Sequence, residues 1–183
     1  MKCTALGGAG EVGASCRLLQ VAGKNILIDS GLRPNRRGEE SLPNFELLQA
    51  LTRGRLDLFI LSHSHIDHTG SMPLMHSLYP ATPMVCTAPT QVITEILLRD
   101  TIKIMDIQKE EKGEFPLFTA EDVTNALAHL QPHTFDVWFE PIEGVKVYFH
   151  RSGHIVGAAA VLIETEEAKV VYSGDVSVAS QRT

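Results

Sequence analysis

Three histidines and an aspartate fall within six consecutive positions directly after the apolar segment Leu56–Leu61, which is predicted to be a buried strand. Because side chains alternate along an extended chain, His63 and His65 leave the end of that strand on the same side. The turn that must follow brings Asp67 and His68 beside them. Imidazole nitrogens and carboxylate oxygens suit zinc, at bond lengths of about 2.0–2.2 Å. The cluster therefore predicts a metal site, in preference to a polar loop that is merely rich in histidine.

Two further residues are candidates to complete this site. His154 lies between glycines at the junction of two predicted strands, where glycine permits a close approach of the chain. A zinc ion held by His63 and His65 needs more ligands, which favours His154 over an ordinary loop histidine. Asp175 ends another apolar strand, and its two carboxylate oxygens can bridge two metal ions. The histidines for which we expect only structural roles are His76, His129, His133 and His150.

Asp29 ends a strongly apolar strand and precedes a serine and a glycine. It can be a turn residue that bonds to its own backbone, or a carboxylate that orients a metal-bound histidine or the loop around it. The histidine cluster favours the second interpretation. We therefore expect Asp29 to form hydrogen bonds with the loop 63–68 and not to bind the metal itself.

Strands and helices alternate along the 183 residues, which predicts one α/β layered domain. The predicted strands are Lys2–Leu6, Ser15–Val21, Asn25–Asp29, Leu56–Leu61, Pro83–Thr87, Val145–Phe149, Ala158–Glu164 and Lys169–Tyr172. The predicted helices are Asn44–Leu51, Ser71–Leu78, a long helix capped by Thr90, and a helix from the capping-box-like segment Thr119–Asp122 to about Leu130.

The segment Gly8–Gly13 matches the GxGxxG pattern of dinucleotide-binding sites, with Asp29 at a fitting distance. That fingerprint needs a helix directly after the glycines, whereas the residues from Ser15 to Asp29 are typical of a β-hairpin. We therefore do not expect nucleotide binding here.

Acidic residues outnumber basic ones, 22 to 16, for a net charge of −6. This balance argues against a non-specific coat for nucleic acid, but not against an enzyme that grips a few phosphates locally. Arg33, Arg36 and Arg37 lie in the loop after Asp29. Such a run is usually solvated surface, and contact with phosphates near the site is the less favoured alternative.

Cys3, Cys16 and Cys86 have no CxxC spacing, which fits reduced thiols in a cytoplasmic protein. The N-terminus has no apolar signal core. The longest nearly apolar run, Ile155–Ile163, is too short to cross a bilayer, which takes about 20 residues. These features predict a cytoplasmic protein that does not engage a membrane.

Asp29, the histidine run, His154 and Asp175 together resemble the four successive motifs of the metallo-β-lactamase superfamily. The flanking segments narrow the resemblance to the β-CASP branch, which includes RNA-processing endonucleases related to the nuclease subunit of the cleavage and polyadenylation specificity factor. Those segments are Gly10–Ser15, Ser62–Pro73 and Gly153–Ala159. The histidine run marks only the superfamily, whereas the Gly-His-x-x-Gly-Ala-Ala element with the later Gly-Asp is more specific.

The resemblance implies an αββα sandwich with the site at one edge of the paired sheets. It implies a zinc-dependent hydrolase that cleaves RNA phosphodiesters, with two zinc ions and Asp67 as both a ligand and a catalytic proton acceptor. The implied first zinc has the ligands His63, His65 and His154, and the implied second has Asp67 and His68, with Asp175 between the two ions.

The chain departs from the family pattern at its end. In the family, a β-CASP domain and then the rest of the metallo-β-lactamase fold follow the Asp175 motif, whereas this sequence stops eight positions after Asp175. We therefore expect residues 1–183 to form the N-terminal part of a metallo-β-lactamase domain, without the β-CASP domain, and to be a poor nuclease alone. The alternatives are a hydrolase of thioesters, lactones or lactams, and a non-catalytic assembly subunit.

Overall fold

The structure, a computed structural model, describes residues 1–179 and contains two β-sheets. The first sheet has the spatial order β1-β2-β3-β4-β5-β6, with strands β1 Lys2–Gly7, β2 Cys16–Val21, β3 Lys24–Ile28, β4 Leu58–Ile60, β5 Met84–Thr87 and β6 Leu130–His133. The second sheet has the order β10-β9-β8-β7, with strands β7 Phe139–Ile142, β8 Val145–Arg151, β9 Ala159–Glu164 and β10 Lys169–Tyr172. The helices are α1 Phe45–Thr52, α2 Ile66–Thr69, α3 Met72–Leu78, α4 Ala88–Lys112 and α5 Ala120–His129.

Both faces of the first sheet are buried. In β3, Leu27 packs in the core on the helix side, while Ile26 and Ile28 pack in the core shared with the second sheet. From the second sheet, Val147 and Val161 fill the same inter-sheet core. Burial on both faces explains why these strands are continuous apolar runs. The predicted α/β class is confirmed, and the described residues supply three of the four layers of an αββα sandwich.

Several details of the fold differ from the sequence prediction, which did not include β6, β7 or the short helix α2. Residues 130–133 form the strand β6, which contains Pro132; β6 lies at the sheet edge, where proline is tolerated. The prediction that Thr90 caps the long helix was wrong. The cap is Thr87, whose hydroxyl accepts the Thr90 amide at 3.3 Å, because Pro89 fits only in the first turn.

The glycine-rich segment 8–13 leads into the strand β2 and not into a helix, as expected for a chain that lacks the dinucleotide fold. The capping box of α5 is present, with Thr119 and Asp122 bonded to each other's backbone amides. Cys3, Cys16 and Cys86 are all free thiols. Among the helices of residues 1–179, none is long and apolar enough to cross a membrane.

A histidine pair joins α3 to α5 and makes a prediction about pH. His76 is buried, and its ring centroid lies 4.6 Å from that of His129. Burial, and then the neighbouring His129, lowers the pKa of His76 below its ordinary value of 6.5. As the pH falls below 6.5, the unfolded chain takes up a proton at this residue before the folded chain does, so the free energy of unfolding decreases.

His76→Gln is therefore expected to make the free energy of unfolding less sensitive to pH between about 7.5 and 5.5, by at most about 1.4 kcal/mol per pH unit. Urea unfolding of the metal-free chain at several pH values measures this slope. The exposed His150 supplies the control variant His150→Gln. An unchanged slope in His76→Gln would contradict the assignment.

Candidate metal centre

The predicted metal ligands come from four elements of the chain that meet at one edge of the paired sheets. His63 and His65 lie in the extended segment after β4, Asp67 and His68 lie in α2, His154 lies in the turn between β8 and β9, and Asp175 follows β10. The turn that carries His154 is fixed from outside the second sheet. The hydroxyls of Thr87 and Thr90 donate to the carbonyl of Gly157 at 2.7 and 2.9 Å.

Four of these residues form a compact group of ligand atoms. His63, His65, His154 and Asp175 each offer one atom, and these atoms lie within 4.8 Å of one another. The His65 Nδ1 and His154 Nε2 atoms are 3.1 Å apart. Two nitrogens bound tetrahedrally to one zinc at about 2.0–2.1 Å would be about 3.3 Å apart. The spacing of this pair therefore fits a divalent cation.

One buried atom of the group also points to a metal ion. His63 is 1% exposed, and its Nε2 atom has no hydrogen-bond partner among residues 1–179. A buried polar atom without a partner is costly, so most native structures supply one. A cation at the centre of the group would satisfy His63 Nε2, which means that the residues present fit a metal.

Asp67 and His68 lie beside this group and are connected to it through Asp175. The Oδ2 atom of Asp175 is 3.5 Å from His154 Nε2, and its Oδ1 atom is 3.4 Å from His68 Nε2. The Oδ2 atom of Asp67 is 3.8 Å from the same nitrogen of His68. The two oxygens of Asp175 thus face different histidines.

Asp29 is fully buried behind the histidines and accepts four hydrogen bonds. Its Oδ1 atom accepts the Ser62 amide, and its Oδ2 atom accepts the hydroxyls of Ser62 and Tyr172 and the Nδ1 of His68, all at 2.8 Å. Burial alone would raise the pKa of the Asp29 carboxyl. The hydrogen bond and the charge of His68, together with the hydrogen bond from the Ser62 amide, lower this pKa below its ordinary value. The predicted hydrogen bonds from Asp29 to the histidine loop are therefore present.

The surroundings also set the charge of the imidazoles. Burial, followed by the charge of His68, lowers the pKa of His63 to about 4. Burial and then His154 lower the pKa of His65. Burial opposes protonation of His68 as well, but the hydrogen bond that His68 donates to Asp29 raises the pKa of His68 overall. His63 and His65 are thus neutral at pH 7, the form in which imidazole binds a metal.

Backbone contacts fix the loop after Asp29 against α2. The amides of Ser30 and Leu32 donate to the carbonyls of His68 and Ile66, at 2.7 and 2.9 Å. Between them, a Cβ atom on Gly31 would lie 1.7 Å from the carbonyl oxygen of Asp67. The close approach requires glycine at this position and holds the segment that carries Asp67 and His68.

Two residues of the site were missed by the sequence prediction, namely Ser62 and Tyr172. Each is a hydroxyl residue at the end of an apolar segment, directly before a predicted ligand motif, and this was the only signal available.

The other histidines lie outside the cluster: His76 and His129 pair with each other, His133 stacks on Phe139, and His150 bonds to Asp136. In the arginine loop, Arg33 and Arg37 form ion pairs with Glu11 and Glu114.

Comparison with known proteins decides the family. A family model described as a metallo-β-lactamase superfamily domain matches residues 18–182. The chain belongs to the metallo-β-lactamase superfamily. A metallo-β-lactamase of Cronobacter sakazakii has the same fold, with a TM-score of 0.53 and 17% identity over 87% of this chain and 52% of that one.

Curated relatives agree with the branch that the sequence resemblance indicated. Integrator complex subunit 11 of Danio rerio is 32% identical over 100% of this chain and 30% of its own length. Endoribonuclease YSH1 of Kluyveromyces lactis is 32% identical over 94% of this chain and 22% of its own length. The chain thus spans less than a third of the length of these relatives.

The hydrogen bonds of Asp29 predict an effect on metal affinity. Asp29→Ala is expected to weaken zinc binding about 10–100-fold, because the ligand loop loses the carboxylate that orients it. Zinc titration against a competing chelator measures the affinity. Asp136→Ala is a matched control, since Asp136 also has a left-handed backbone, with φ of 62° against 61° for Asp29, but is exposed. If folded Asp29→Ala and the unmodified chain bind zinc with equal affinity, Asp29 is only a turn residue and does not orient the ligand loop.

Proposed function

We propose that the chain is the metal-binding part of a zinc-dependent hydrolase that cleaves RNA phosphodiesters. The observation that carries the proposal is the convergence of His63, His65, His154 and Asp175 within 4.8 Å. One relative carries the name endoribonuclease, which supports RNA as the substrate. The cytoplasmic location predicted from the thiols and the N-terminus remains a prediction.

We propose two zinc positions. His63, His65 and His154 would hold the first ion and Asp67 and His68 the second, with Asp175 between them. The separate contacts of the two Asp175 oxygens with His154 and His68 support this division. When bound, zinc would polarise the phosphodiester and lower the pKa of a coordinated water. Asp67, whose side chain is 25% exposed, is accessible to accept the proton of the attacking water.

The activity is proposed for a protein as long as the relatives, and the 183 residues alone are expected to cleave RNA negligibly. Asp67, His68 and Asp175 provide the second ion with only three protein ligands. One wall of the substrate cleft would also come from the rest of the protein, and positioning of the substrate can supply about 7–11 kcal/mol of the barrier. The first zinc position is expected to load regardless. Calorimetric zinc titration with an RNA cleavage assay tests both statements, and robust cleavage by residues 1–183 that His65→Ala abolishes would contradict them.

The substrate class is tested separately on the longer protein. Carbonyl substrates need the same polarisation as phosphodiesters, so the protein is offered RNA, a thioester, a lactone and a β-lactam in parallel. We expect metal-dependent turnover of RNA alone. Turnover of a carbonyl substrate without RNA cleavage would replace the proposal, and a zinc-free protein without any turnover would indicate an assembly subunit.

A further inference from the structure

We propose that Ser62 and Tyr172 are positioning residues that act through Asp29 on the ligand histidines, and that Ser62 fixes the tautomer of His63. The inference rests on the proposed metal centre, because a histidine binds a metal only through a ring nitrogen that carries no proton. The contacts of His68 and Ser62 with Asp29 determine which nitrogen that is, and the contact of Tyr172 with Asp29 positions Asp175 beside the histidines.

The first contact concerns His68. Its Nδ1 atom lies 2.8 Å from Asp29 Oδ2. An ionised carboxylate can only accept hydrogen bonds, so His68 Nδ1 carries the proton. In the neutral ring, which is the form that binds a metal, the Nε2 atom is then unprotonated, and this is the nitrogen that faces Asp67 and Asp175. Asp29 therefore sets the tautomer of His68 directly.

The second contact sets the tautomer of His63 through a hydroxyl. Ser62 Oγ lies 2.8 Å from Asp29 Oδ2 and 3.0 Å from His63 Nδ1. The hydroxyl has a single proton, and Asp29 cannot donate one, so Ser62 donates to Asp29 and accepts from His63 Nδ1. His63 Nε2 is then the unprotonated nitrogen. This is the same buried atom that lacks a partner among residues 1–179.

The third contact comes from the other sheet. Tyr172 ends β10, three residues before Asp175, and its hydroxyl donates to Asp29 Oδ2 at 2.8 Å. The same hydroxyl oxygen lies 3.3 Å from Ser15 Oγ. Tyr172 thus ties the strand that leads to Asp175 to the carboxylate that orients His63 and His68. Its loss leaves both tautomers in place but frees Asp175 relative to the histidines.

Long-range ¹H–¹⁵N spectra of the metal-free chain with ¹⁵N-labelled histidine report directly which ring nitrogen of each histidine is protonated. They require neither bound zinc nor RNA cleavage. At a pH high enough for both rings to be neutral, the unmodified chain is expected to show His63 and His68 each protonated at Nδ1 alone. In Ser62→Ala, His63 is expected to become a mixture of tautomers while His68 stays unchanged, and zinc affinity is expected to fall about 10-fold. Ser62→Thr retains the hydroxyl and is expected to restore a single tautomer.

Ser64→Ala is the matched control, because Ser64 is also buried beside His63 but its hydroxyl has no partner within residues 1–179. A single Nδ1-protonated His63 in Ser62→Ala, or an Nε2-protonated His63 in the unmodified chain, would overturn the role of Ser62. The tautomers are measured without reference to RNA cleavage by the longer protein. The proposed positioning roles and the proposed function can therefore be refuted independently.

Tyr172→Phe is expected to weaken zinc binding about 10-fold with both tautomers retained. Tyr148→Phe is the control, since Tyr148 lies on the same sheet as Tyr172 and its hydroxyl donates to the exposed Asp136. Equal zinc affinity in Tyr172→Phe and Tyr148→Phe would remove Tyr172 from the proposal.

Discussion

His65→Ala is expected to abolish zinc binding at the first position and to lower RNA cleavage by the longer protein about 10³-fold or more. The magnitude corresponds to the several kcal/mol that a metal ion supplies to the transition state. His65 Nδ1 lies 3.1 Å from His154 Nε2 at the centre of the cluster, so its loss leaves the ion without one of its few nitrogen ligands.

Two measurements check this expectation. The zinc content of the purified chain and the cleavage rate of the longer protein are compared with those of His150→Ala, which removes an exposed histidine outside the cluster. Full zinc occupancy at the cluster with unchanged cleavage in His65→Ala would refute the assignment.

Gly31→Ala is expected to destroy metal binding without touching any ligand. The added Cβ atom would lie 1.7 Å from the carbonyl oxygen of Asp67, so the backbone of α2 must move. That movement displaces His65, the N-cap of α2 and a ligand of the first position, together with Asp67 and His68. Overpacking of this kind costs about 1–3 kcal/mol of stability or more. The expected result is loss of bound zinc together with a lower melting temperature.

Gly10→Ala provides the comparison for Gly31→Ala. A Cβ atom on Gly10 would meet nothing within 4 Å, although its left-handed φ of +76° makes alanine cost about 1–2 kcal/mol. We expect Gly10→Ala to lose stability and keep zinc. If Gly31→Ala bound zinc as tightly as the unmodified chain, the loop after Asp29 would be able to move without displacing α2, which contradicts the prediction.

The candidate ligands could be predicted where their arrangement is local. His63 and His65 follow a strand, and alternation alone places them on one side. His154 and Asp175 are distant in sequence; their positions at strand ends made them candidates, and the resemblance to the metallo-β-lactamase motifs assigned them to particular ions. Whether these residues bind zinc remains a prediction, although the structure brings their ligand atoms together.

Ser62 and Tyr172 could not be predicted, because their roles depend on how the two sheets pack. Tyr172 reaches Asp29 across 143 positions of sequence, and no periodicity in either strand encodes that contact. The fold shows the same division. The predicted strands with regular apolar patterns are present, whereas β6 was missed because the sequence does not reveal that it lies at a sheet edge.

Anomalous X-ray diffraction at the zinc absorption edge, from crystals of the zinc-loaded chain, tests the metal centre most directly. We expect an anomalous peak about 2.0–2.2 Å from ligand atoms of His63, His65 and His154, with Asp175 beside it. A zinc-loaded crystal with no peak at this cluster, or with its peak at His76 and His129 instead, would contradict the account.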